Sequence, residues 1–92
     1  MEYKVNFQKF FDNLKITQNP NSEFYDDAKK RVHCELKNMV EAILDGKCVV
    51  FKAVQMKTLN DLREWAHDPL FQLYDAIDIE TAISEVESFR KL

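Results

Sequence analysis

Apolar residues recur at three- and four-residue steps through Phe24, Tyr25, Ala28, Val32, Leu36, Met39, Val40, Ile43 and Leu44. That is the period of one helix face, and it predicts a helix over about residues 23–45. Pro20, Asn21 and Ser22 supply a turn and cap before it, and Gly46 stands where a helix can end in a left-handed residue. Glu23, Asp26 and Asp27 sit at the positive end of the helix dipole, and Asp26 to Lys30 and Asp27 to Arg31 are acid-before-base pairs at i,i+4. At 100° per residue the apolar arc covers about half the circumference, wider than the stripe of a helix resting on a surface. Such a helix is central, or it packs against a second chain as well as its own.

A second periodic segment, Ile79, Ala82, Ile83, Val86 and Phe89 behind the cap Asp78, predicts helix over 79–91. Thr58 caps a shorter helix through Leu59, Leu62, Trp65 and Ala66, which stops before Asp68-Pro69 because the residue before proline disfavours the helical region. Two segments read both ways. The run Cys48 to Val54 is short and β-branched like a strand, yet Phe51, Val54, Leu59, Leu62, Trp65 and Ala66 also share a helical face. At the start of the chain Tyr3, Val5 and Phe7 alternate as in a strand, whereas Phe7, Phe10, Phe11 and Leu14 repeat as in a helix. A strand at 48–54 requires a partner, either residues 3–7 or the same strand of a second copy.

The favoured fold is therefore all-α, a bundle of about four helices: about 6–15, 23–45, 58–66 (or, extended back, 48–66) and 79–91. The competing fold is α+β, with a small sheet from residues 3–7 and 48–54. Ninety-two residues with 46% hydrophobic and 32% charged content make one domain, residues 1–92. One Gly and two Pro leave too few turn residues for a β-sandwich or a glycine-rich phosphate loop. Nothing resembles a signal peptide or approaches the roughly 20 apolar residues of a membrane span, so the expected setting is the cytoplasm, with no membrane and with reduced thiols.

Charge divides the chain. Residues 1–58 hold 10 basic and 8 acidic residues, whereas residues 59–92 hold 3 basic and 8 acidic, so the excess negative charge lies in the last third. The net charge of -3 opposes bulk attraction to phosphate. One basic cluster exists, Lys29, Lys30, Arg31 and Lys37, but it is interleaved with Asp26, Asp27, Glu35 and Glu41. It is the site of the alternative reading, a nucleic-acid- or nucleotide-associated regulator, and nucleic acid is not the expected partner.

His33, Cys34, Cys48 and His67 lack the paired spacing of a structural zinc site, so no metal and no cofactor is expected. Cys34 has Lys30, Arg31 and Lys37 at i-4, i-3 and i+3, which could activate its thiol, but a catalytic thiol also needs a positioned base and oxyanion donors. Asp75, Asp78 and Glu80 are explained by capping and the helix dipole. A domain of this size has little room for a pocket of about 300 Å³ beside its core, and no enzymatic activity is expected.

Seven Phe, three Tyr, one Trp and three Met remain to be placed. For any one of them the core is the ordinary location. Together they exceed what one small chain readily buries, which favours a homodimer or another protein as partner. The expected function is a small acidic interaction module that binds and inhibits, sequesters or adapts another protein by presenting an acidic face to a basic groove. Its expected contact residues are Glu64, Trp65, Asp68, Phe71, Tyr74, Asp75, Glu80, Glu85 and Glu87.

Overall fold

A computed structural model describes residues 1–71, 74 and 76–91. Among these residues the fold is mixed α+β rather than all-α. Four helices are joined by a three-stranded sheet in the order β1 (Glu2–Lys4), α1 (Phe7–Ile16), α2 (Tyr25–Leu44), β2 (Cys48–Phe51), β3 (Val54–Met56), α3 (Leu59–Ala66) and α4 (Ile79–Arg90). The competing sequence reading is thus the right class, and its sheet gains a strand.

Local chemistry sets the helix ends. The side chains of Asn6, Thr58 and Asp78 accept backbone N–H groups in the first turns of α1, α3 and α4. At Thr58 the cap is reciprocal, because Asp61 in turn accepts from the Thr58 backbone. Helix α2 opens later than its apolar pattern implies: Phe24 is its cap residue and makes no side-chain cap bond, while the Ser22 hydroxyl accepts the Phe24 N–H instead. At the other end Gly46 takes φ +82°, Gly46 N–H donates to Ile43 O at 3.0 Å and Lys47 N–H donates to Ala42 O at 2.9 Å. This paired closure satisfies the last carbonyls and turns the chain straight into β2.

Strand β2 is central. It pairs in parallel with β1 (Glu2 with Cys48, Tyr3 with Val49, Lys4 with Val50) and antiparallel with β3 (Val49 with Met56, Val50 with Gln55, Phe51 with Val54). The β-branched run prefers strand because both its edges find partners, and this excludes an extension of α3 back to residue 48. The hairpin turns over Lys52 and Ala53 with Lys52 at φ +55°, an uncommon backbone region for a side-chain-bearing residue. The Lys52 ammonium lies 4.4 Å from the centre of the Phe7 ring, a cation–π contact that holds the turn against α1.

Alternation puts Tyr3, Val49, Phe51 and Met56 on the sheet face that meets the helices. Against that face stands a core of Leu14, Val32, Leu36, Met39, Val40 and Leu62, all essentially inaccessible. Helix α2 runs through the middle and packs on α1, α4, β2 and α3. Its broad apolar arc is therefore covered within one chain, except at the ends, where Phe24 and Leu44 remain exposed.

Candidate interaction surface

The aromatic segment divides. Trp65 is only 8% exposed and Phe71 4%, so both expected contact residues belong to the core. Their rings lie 4.7 Å apart, centre to centre, and Trp65 also packs on Phe51 at 5.1 Å and Phe10 at 5.9 Å. With Phe11, which stacks on Phe71, these rings join α1, β2, α3 and the segment after α3. The correction follows from area: a large ring beside three others gains more by burial than by waiting for a partner. Tyr74 is half-buried, and Leu70 is left outside at 56% exposure.

The acids divide as well. Glu80 pairs with Arg63 at 2.7 Å, linking α4 to α3. Glu85 accepts a hydrogen bond from His33 Nε2 at 2.8 Å and lies 3.7 Å from the Lys37 ammonium, linking α4 to α2. Among the described residues Glu64, Asp68 and Glu87 are exposed and form no ion pair. Glu64 accepts only from the neutral Asn60 amide, and Asp68 from the Leu70 N–H. Asp75 lies outside the described residues. Of the expected contact acids, those without an ion pair among the described residues are therefore Glu64, Asp68 and Glu87; Asp61 and Asp78 also form none, and their carboxylates are engaged as caps of α3 and α4.

Phe89 changes place too. Its spacing puts it on the buried stripe of α4, yet it is 71% exposed. Four residues beyond the buried Val86, it is Arg90 that turns to α2, where its guanidinium donates to Asp45 at 2.9 Å and to Glu41 O at 3.3 Å. The contacts of Glu85 with His33 and of Arg90 with Asp45 show that α4 and α2 run in the same direction. Leu44 and Phe89 thus end at the same end of that helix pair, and both stay accessible.

The basic cluster of α2 does not assemble. Successive helix residues point about 100° apart, so Lys29, Lys30 and Arg31 face three ways. Lys29 lies over the Tyr25 ring at 5.2 Å, Arg31 lines a groove between α1 and α2, and Lys37 is drawn to Glu85. The groove, about 230 Å³, also carries Cys34, Lys9 and Glu35. Cys34 is exposed there, and of the expected cationic trio Arg31 lines the same groove. Among the described residues no three His, Cys, Asp or Glu side chains converge as metal ligands, and no helix is long and apolar enough to cross a membrane.

Several carboxyls are held below their ordinary range. Hydrogen bonds from the Lys57 and Thr58 backbone lower Asp61, the Thr81 hydroxyl and N–H lower Asp78, and the His33 hydrogen bond lowers Glu85. Because these groups bind protons less readily folded than unfolded, their stabilisation is complete above the ordinary carboxyl range near pH 4 and is lost as pH falls through the depressed native values. Urea midpoints followed from pH 6 down to pH 2 should fall accordingly, and more gently in Glu85→Gln. A variant as steep as the parent would remove the His33 contact as a cause. In the opposite sense, burial and then the hydrogen bond to Glu35 push the Tyr3 phenol up to about 12.

No protein-family model matches the chain, and comparison with curated proteins and with solved structures finds no significant match.

Proposed function

We propose that this protein is an interaction module that binds another protein and thereby inhibits, sequesters or adapts it, meeting a basic groove with the acidic α3–α4 side. The observation that carries this reading is that Leu70 and Phe89 stay exposed, at 56% and 71%, in the acidic last third of the chain, where Glu64, Asp68 and Glu87 are exposed and form no ion pair among the described residues. Exposed apolar anchors give affinity when a partner buries them, and nearby charge gives orientation and partner choice.

Reversal of Glu80 or Glu85 would also break contacts between helices, so the discriminating variant is Glu64→Lys, Asp68→Lys, Glu87→Lys in one chain. Immobilised wild-type protein should retain, from its native lysate, basic partners that elute as salt rises. The triple variant should lose them with its circular dichroism unchanged, and Phe89→Ala should weaken their retention at all salt concentrations. Identical captured sets for parent and triple variant would sink the acidic face.

A further inference from the structure

We propose that a second copy of this chain pairs antiparallel along β1, about a two-fold axis through Tyr3, to give a continuous six-stranded sheet. Strand β1 is an edge of the sheet. On its inner side Cys48 N–H donates to Met1 O at 3.1 Å and Val5 N–H donates to Val50 O at 2.9 Å. A parallel ladder alternates its backbone groups along the strand, so residues 1, 3 and 5 face β2 while Glu2 and Lys4 direct their N–H and C=O groups outward. Both residues are exposed, and among the described residues no strand lies beyond them. The edge is held firmly: the Tyr3 hydroxyl donates to Glu35 on α2 at 2.8 Å, anchoring the middle residue of β1 to the body of the fold.

The occupant is selected by charge. In an antiparallel pair centred on Tyr3, Glu2 of each copy stands opposite Lys4 of the other, and the outward groups of these residues meet as hydrogen-bonded pairs. The two Glu–Lys pairs share the sheet face turned away from the helices, since Glu2 and Lys4 alternate with the inward Tyr3. A parallel in-register pairing would instead set Glu2 beside Glu2 and Lys4 beside Lys4. The other edge offers no such match. On β3 the outward residue is the neutral Gln55, between Lys52 and Lys57, and antiparallel pairing about Gln55 brings no opposite charges across. A bare edge strand invites another strand, and the Glu-Tyr-Lys order of β1 fits its own inverted copy. None of the residues of the acidic α3–α4 side takes part.

Strand pairing this short belongs to the weak class of interfaces, so sedimentation and light scattering should be run up to concentrations on the order of 100 µM. The parent should then be dimeric, with the Glu2 and Lys4 amides protected from hydrogen exchange as concentration rises. Glu2→Lys and Lys4→Glu alone should each weaken self-association about tenfold or more, because each turns two attractive pairs into two repulsive ones. Mixing these two variants should restore a dimer, as should the exchange of both residues in one chain. A parent that stays monomeric at these concentrations overturns the proposal, and so does a dimer indifferent to the reversals or unrestored by the mixture. The substituted side chains are exposed, and unchanged circular dichroism separates lost pairing from lost fold.

Discussion

Trp65→Ala should cost about 3–5 kcal/mol, the range for removing a large ring from a packed core. The indole touches Phe10, Phe51 and Phe71, so its loss opens a cavity where α1, β2 and the segment after α3 meet. Small domains are stable by only about 5–15 kcal/mol, so the variant should stand near the edge of unfolding. Urea denaturation followed by far-ultraviolet circular dichroism is the appropriate measurement, because the substitution removes the only tryptophan. Leu70→Ala, five residues away and largely exposed, serves as the comparison and should change stability by about 0.5 kcal/mol or less. If Trp65→Ala were as mild as Leu70→Ala, the ring would return to the surface role that its enrichment at interfaces suggests.

Val49→Asp should be of similar severity, on the order of 3 kcal/mol or more, because it places an unpaired carboxyl at an inaccessible position of the central strand. Val54→Asp, on the edge strand at 46% exposure, should be far milder. This contrast separates the two readings of residues 48–54. In the helical one Val54 shares the buried face with Phe51 and Leu62 and Val49 does not, so the order of severity would reverse. Guanidinium midpoints of the two variants decide between them, and equal losses at both positions would contradict the sheet.

The helices were legible because their signals are local. The steps Ala28, Val32, Leu36, Met39 and Val40 mark the buried side of α2, and Thr58 and Asp78 cap α3 and α4 as their types predict. The sheet was only half legible. Cys48 to Val54 carries no Asn-Gly or Gly to announce the turn at Lys52, and the residue that pairs with Cys48 is Glu2, far back in the chain. Short apolar runs take strand or helix according to the partners they find, and here β1 on one edge and β3 on the other complete the pairing of β2. Phe89 shows the same limit within a helix: its spacing fitted the stripe, but Arg90 fitted it too, and the carboxylate of Asp45 and the carbonyl of Glu41 chose between them.

The candidate surface followed the same division. Composition placed the excess acid after residue 59, and that holds whatever the fold. Which acids keep their charge uncompensated depends on Arg63, His33 and Lys37, which arrive from other helices. By itself the sequence determined where helices run, where they are capped, where the chain is acidic and that strand and helix compete at residue 48. Periodicity and capping act over about four residues, and charge simply adds. Only the tertiary structure decided that Trp65 and Phe71 are core, that Leu70 and Phe89 are surface, and that β1 completes a sheet. Burial, cross-helix pairing and strand register are set by residues distant in the chain, and these meet only after it has folded.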